Sequence, residues 1–190
     1  MGDPYSGAPT SQAPAEPIFV GLDLSLTSTG IATIHGDLIT VRRVTSKASQ
    51  GDTSDTAQRL DRIVADVLGS VPLSDDTHVA IEGPSYGSVG PGQHVRGGLW
   101  WLIRTALARE GIHTIIASPS TVKKYATGKG NAGKDAVLAA VIKRYPQVDV
   151  TGNDEADALV LAAIAARVGG RPIDLNLPIV QVQATKAVRR

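Results

Sequence analysis

Asp154 and Asp157 stand three residues apart at the head of a segment that is otherwise almost wholly Ala, Leu, Ile and Val. A helix places residues at that spacing on one face. Two carboxylates beside so apolar a run are costly to bury unless a cation or donor meets them, and a divalent metal is the natural partner. Asp23 and Glu82 each close a short apolar stretch, Ile18 to Leu24 and His78 to Ile81, just before a loop. That is where α/β sheets commonly build their sites. If those strands are neighbours and the Asp154 helix packs across them, Asp23, Glu82, Asp154 and Asp157 meet. Such an all-oxygen set favours Mg²⁺ or Mn²⁺ over Zn²⁺. Two ions about 4 Å apart can activate a water and stabilise the leaving oxygen in phosphodiester hydrolysis. Taken singly, each acid has a plainer role available: Asp154 as helix-cap material, Glu155 as its exposed neighbour. Asp157, deeper in the helix, and Asp23, bracketed by Leu22 and Leu24, are harder to account for in that way, and the set as a whole points to metal.

The elements that must position these acids can be read from hydrophobic period. Ile18 to Leu24 predicts a strand covered on both faces, and Ser25 to Gly30 a turn. Ile31 to Ile34 and Leu38 to Val44 flank His35-Gly36-Asp37, whose turn chemistry predicts a hairpin. From Asp55 the period becomes helical, with Leu60, Ile63, Val64, Val67 and Leu68 on one face. The strand ending at Glu82 is followed by a breaker-rich loop to Gly92, a helix from about Val95, and a fifth strand over Thr114 to Ala117. Next come another turn-rich loop, a helix over Lys134 to Arg144, and the last helix from about Asp154 to Val168. The expected order is βββαβαβαα.

Composition sets the outer bounds. At 190 residues, 42% apolar and 19% charged, the chain can bury one ordinary core, and no stretch is long enough to span a membrane. With no cysteine, disulfides and thiolate sites are excluded. Residues 1–16, rich in Pro, Ala, Ser and Gly, read as a disordered tail with no secretory signal, so the expected location is cytoplasmic. Residues 17–170 form the expected domain. Residues 171–190 read as a C-terminal extension, whose alternating Ile179-Val-Gln-Val-Gln fits an added strand or a tail. A net charge of +1 is uninformative, but Lys123, Lys124, Lys129, Lys134, Lys143 and Arg144 face only Asp135 between Ala117 and Tyr145. Gly128-Lys-Gly-Asn-Ala-Gly-Lys134 has the spacing of a phosphate-binding loop, yet Asp135 replaces the Ser or Thr that would ligate Mg²⁺, and no apolar strand precedes it. The glycine-rich start of the Lys134 helix, with Lys129 alongside, still suits a DNA phosphate.

Gly21-Leu-Asp23-Leu-Ser-Leu-Thr-Ser-Thr-Gly30, Ala80-Ile-Glu82 and Asp154-Glu-Ala-Asp157-Ala-Leu, in this order, resemble the RuvC family of Holliday junction resolvases. The resemblance covers roughly Pro17 to Gly170. It implies an α/β fold of the ribonuclease H-like kind, a mixed sheet of three antiparallel strands then two further strands, flanked by helices. It also implies that Asp23, Glu82, Asp154 and Asp157 hold two Mg²⁺ ions, for which Mn²⁺ can substitute, and that a homodimer nicks four-way, branched DNA in pairs. Lys123 and Lys134 fall where the family places basic residues against the junction, and Tyr86 where it inserts an aromatic at the crossover. The segment after Asp157 lacks the histidine that some members carry there, and the loop after Glu82 is unusually rich in Gly and Pro. With the added N-terminal segment, these departures suggest a divergent, phage-type member.

Other functions fit less well. An actin-like or sugar-kinase ATPase shares the first strand and its Asp-Ser-Thr-Gly turn, but needs a second large domain that 190 residues do not supply. A silent nucleic-acid-binding module would use the lysines without needing the acids, and a two-carboxylate glycosidase would not need the lysines. Trp100 and Trp101, adjacent on a helix, point to different surfaces and suit the core or a dimer interface.

Overall fold

The computed structural model describes residues 16–48, 52–84 and 92–189; the expected tail lies outside these up to residue 15, as does Tyr86. Three strands come first, β1 (Ile18–Asp23), β2 (Ser28–His35) and β3 (Leu38–Thr45), then α1 (Thr53–Leu68), β4 (Thr77–Glu82), α2 (Gln93–Arg109) and β5 (Thr114–Ala117). The helices α3 (Pro119–Thr127), α4 (Lys134–Arg144) and α5 (Asn153–Val168) follow, and short α6 (Ile179–Val182) leads into a 3₁₀ turn over Gln183–Ala187. The sheet has the order β3-β2-β1-β4-β5. Its β1–β2 and β2–β3 pairs are antiparallel, and its β1–β4 and β4–β5 pairs are parallel. This is the expected mixed sheet. Gly36, at φ 57°, makes the tight turn of the β2–β3 hairpin.

Two helices differ from the sequence reading, α3 and the short α6. The stretch after β5, expected as a loop, contains α3. Ser118 Oγ accepts from the Thr121 amide at 3.2 Å, Pro119 occupies the first turn, and Gly128 at φ 85° ends the helix. Val122, Tyr125 and Ala126 form its buried face. The apolar stripe is only this long, and Lys123-Lys124 interrupts it, so periodicity alone misses the helix while its caps declare it.

Strand alternation sorts the core. Phe19, Ala32, Ile34, Ala80, Ile115 and Ala117 face α3, α4 and α5, whereas Val20, Leu22, Ile31, Val79 and Ile81 face α1 and α2. Helix α5 is covered by the sheet, chiefly β1 and β2, and by α4 and α3. Ala156 and every residue from Ala158 to Ala166 are therefore buried, which explains a composition with no polar stripe. The helix lies unusually close to the strands at two places. A Cβ on Gly21 would fall 1.9 Å from the Ala158 carbonyl oxygen, and one on Gly30 would fall 1.9 Å from that of Asp154.

The C-terminal segment packs on the same core. Asp174 is buried and accepts from Tyr125 Oη at 2.8 Å, Tyr145 Oη at 3.0 Å and Arg167 Nη2 at 2.7 Å. The alternating stretch at Ile179 is helical, and the only contact of β-type made by this segment, among the described residues, is one antiparallel bridge between Arg189 and Ile116. No helix among the described residues is long and apolar enough to cross a membrane.

The seat at Gly30 yields a direct prediction. Gly30→Ala drives a methyl into backbone that cannot swing aside, so stability falls by about 1–3 kcal/mol, read as a lower urea midpoint at unchanged slope. A midpoint equal to that of the unaltered chain would show that the helix yields freely.

Candidate active site

Sheet register builds the site before any side chain is considered. Leu22 pairs with Ile81, so the next residues, Asp23 and Glu82, end their parallel strands side by side. Asp23 is also opposite Gly30, Gly30 is opposite Arg43, and Glu82 pairs with Ala117. One row, Ala117-Glu82-Asp23-Gly30-Arg43, thus crosses all five strands on the face that carries α5, at about 4.8 Å per strand. Gly30 is the gap in that row, and the Asp154 carbonyl occupies it.

The main chain around each acid is fixed. After Asp23, the Ser25 amide donates to Thr29 Oγ1 at 3.1 Å and Thr29 Oγ1 donates back to the Ser25 carbonyl at 2.9 Å. At Glu82 the carbonyl accepts from Trp100 Nε1 at 2.9 Å, and the following Gly83 amide donates to Ala117 at 2.7 Å. Trp100 is a support that sequence reasoning did not attach to the site, since nothing in the spacing of α2 reveals an indole reaching a strand end. Trp101 is 60% exposed, yet its ring packs edge to face on that of Trp100 at 5.0 Å, with Arg104 against both, so the two tryptophans form one cluster rather than pointing to separate surfaces.

At the head of α5 two sequence expectations need correction. The N-cap is Gly152, which leaves Asp154 inside the first turn with no capping duty. Glu155 is buried, not exposed: its Oε2 accepts from the Thr151 amide at 2.7 Å and Thr151 Oγ1 at 2.9 Å, and its Oε1 pairs with Arg43 Nε at 3.1 Å. The Thr-to-Glu spacing is one longer than that of a capping box, which is why the pattern gave no warning.

Asp23, Glu82, Asp154 and Asp157 are half-buried, and none accepts a side-chain hydrogen bond or ion pair from the described residues. They feel one another instead. Burial, then Glu82, Asp157 and Asp154, push Asp23 up to about 8, with Lys134 pulling the other way. Burial and Asp157 raise Glu82 to about 7 against Lys123 and Lys134. Burial raises Asp157 to about 6, Lys134 and Lys123 opposing it and Asp154 adding to it. Asp23, Glu82, Asp154 and Asp157 therefore lie within electrostatic reach of one another, as do Lys123 on α3 and Lys134 at the start of α4. Lys129 is elsewhere, exposed and lining an open groove with Lys143 and Arg144.

This donor set fits divalent cations. It is all oxygen, its carboxylates are offset only by Lys123 and Lys134, and Asn153 Oδ1, next to Asp154 in the chain, is buried without a partner among the described residues. Among the described residues no three His, Cys, Asp or Glu side chains close on a single ion position. An ion such as Mg²⁺, which takes one or two carboxylates and completes its shell with water and phosphate oxygens, does not require them to.

Residues 19–165 match the family model described as "Crossover junction endodeoxyribonuclease RuvC". The chain belongs to the RuvC family. As a RuvC protein it is a metal-dependent nuclease, a crossover junction endodeoxyribonuclease. The RuvC enzyme of Zymomonas mobilis is 29% identical over 146 residues, covering 76% of this chain and 87% of that one. Among solved structures, Thermus thermophilus RuvC aligns with a TM-score of 0.59 at 20% identity, over 81% of this chain and 97% of that one. The same protein in complex with Holliday junction substrate gives 0.63 at 18% identity, over 82% and 97%. Those structures share the ribonuclease H-like RuvC fold seen here.

The raised carboxyl groups predict how stability changes with pH. A folded-state value above the unfolded one gives stability that is complete below about pH 4 and is lost as pH rises through about 6 to about 8. The chelator-treated protein should melt at a lower temperature at about pH 8 than at about pH 5, Asp23→Asn should flatten that fall, and divalent cation should reverse it. A melting temperature that does not vary over this range would contradict the electrostatics.

Proposed function

We propose that this RuvC-family resolvase cuts four-way DNA junctions with Asp23, Glu82, Asp154 and Asp157 as its metal-holding acids, and that Mg²⁺ is the working ion, two per site, with Mn²⁺ able to replace it. The supporting observation is the mouth itself: four half-buried carboxylates, from two strand ends and one helix, that accept no side-chain bond from the described residues, with burial and acidic neighbours raising Asp23, Glu82 and Asp157. A module that only bound nucleic acid would have no use for so unfavourable a cluster.

When bound, the ions supply an activated water and neutralise charge at the cleaved phosphodiester. The protein does the positioning. Asp23 and Glu82 are held by paired strands, and Asp154 and Asp157 by a helix seated on two glycines. Lys123 and Lys134 draw the phosphate toward the acids. Helix α4 has no side-chain cap at Gly133, so its first amides are available to a backbone phosphate. Lys129 meets DNA farther from the cut, and Tyr86 stacks on a base unpaired at the crossover.

Two symmetric nicks need two active sites, hence a homodimer. Trp101 and Leu102, 60% and 42% exposed on α2, offer apolar surface for a second copy. Acting on DNA recombination and repair intermediates, such an enzyme belongs in the cytoplasm.

The test compares unaltered protein with Asp157→Asn on labelled four-way junction, flap and linear duplex, with and without Mg²⁺, at one salt concentration. Expected is Mg²⁺-dependent cutting of the junction, and a variant that binds as before but cuts more than about 100-fold more slowly, beyond the usual loss for a group one shell farther out. Cutting without metal, or binding with no cutting by the unaltered chain, would contradict the proposal.

A further inference from the structure

The acid row does not end at Asp23. Beyond the gap at Gly30, its last member on β3 is Arg43, on the same face as the acids. Two strand spacings, about 10 Å, separate its backbone from that of Asp23. Lys123 and Lys134 approach the acids from α3 and α4, which follow β5 at the other end of the row. Arg43 closes the row on the β3 side, and Lys123 and Lys134 also lie within electrostatic reach of the acids.

Arg43 is more than the counterion of Glu155. Glu155 Oε2 is already satisfied by Thr151, and Arg43 supplies only Nε to Oε1 at 3.1 Å, with a long 3.3 Å contact from Nη2 to Thr151 Oγ1. Nη1 donates to no group among the described residues, and the side chain is 43% exposed while that of Glu155 is 8% exposed. Half-exposed ion pairs add little to stability. An arginine held by one edge, with its other edge facing solvent, presents the planar fork that matches a phosphate.

We propose that Arg43 binds a DNA backbone phosphate on the β3 side of the acid row, with Glu155 holding its guanidinium in place. The DNA strand then crosses the row from the α3–α4 lysines to Arg43, and the cleaved phosphodiester lies between them over the carboxylates. This rests on the nuclease reading above and adds a substrate contact to it. Because Glu155 lies between Asp154 and Asp157, the same pair also ties the DNA contact to the helical turn that carries two of the acids.

The test measures binding of labelled four-way junction over a KCl series, in the non-cutting Asp157→Asn background. The slope of log affinity against log salt counts neutralised phosphates, at roughly 0.9 per contact on duplex and roughly 0.7 on single strands. Arg43→Gln, which can still donate to Glu155, should make the slope shallower by one such unit. Arg43→Lys should keep the slope, and Glu155→Gln, whose side-chain oxygen still accepts from Arg43 Nε, should keep it at least as steep. An unchanged slope in Arg43→Gln overturns the proposal. So does an equal loss in Glu155→Gln, which would mean that the effect passes through the helix rather than through a phosphate. Failure of the nuclease reading shows separately, as an unaltered chain that neither prefers the junction nor cuts it with Mg²⁺.

Discussion

The contact between the α5 backbone and the sheet at Gly21 and Gly30 is the constraint on which the rest depends. Ordinary helix-on-sheet packing keeps a layer of side chains between the two backbones, but here a Cβ at either glycine would sit 1.9 Å from a helix carbonyl oxygen, far inside van der Waals contact. The helix can settle there only because those two positions carry no side chain. Gly30 is the cross-strand partner of Asp23, and its neighbour above is the carbonyl of Asp154. One missing methyl group therefore sets the distance between a strand acid and a helix acid. At Gly21 it is the α5 backbone that comes closest, through the Ala158 carbonyl and the Ala162 amide, with the Cβ of Leu161 beside them.

Once that distance is set, electrostatics follows from composition. The described residues hold buried and half-buried acids of two kinds. Asp174 and Glu155 are surrounded by donors, respectively two tyrosines with two arginines and a threonine with one arginine. Those are structural ties: one fastens the C-terminal segment to α3, α4 and α5, the other fastens α5 to β3. The four acids of the mouth have one another as neighbours instead, offset by Lys123 and Lys134 without an ion pair among the described residues. A fold that satisfies its other buried carboxylates this completely leaves these four for something brought in from solution.

Much of this was legible in the sequence, because strand ends and helix heads declare themselves. The apolar runs closing on Asp23 and Glu82 place those acids at the sheet's C-terminal edge, and the spacing of Asp154 and Asp157 puts them on one helical face. The neighbouring of β1 and β4, which brings the two strand acids together, is a tertiary fact that periodicity cannot state and that the sequence carries only as a condition. Helix α3 escaped because its buried stripe is short and basic residues interrupt it, although Ser118-Pro119 and Gly128 mark both of its ends. Glu155 looked exposed because its partners are remote: Arg43 is on another strand, and Thr151 is one residue off the capping-box spacing. The seats at Gly21 and Gly30 lie inside motifs that were read for their acids, and a glycine in a strand signals close backbone approach only in general terms.

The central claim is that α5, seated on those glycines, brings Asp23, Glu82, Asp154 and Asp157 close enough to share divalent ions. Anomalous diffraction from crystals grown with Mn²⁺ tests it most directly. The account predicts anomalous peaks between the β1 and β4 strand ends and the first turns of α5, with oxygens of these carboxylates as ligands. Peaks found only elsewhere on the surface, with the four carboxylates turned away from one another, would contradict it.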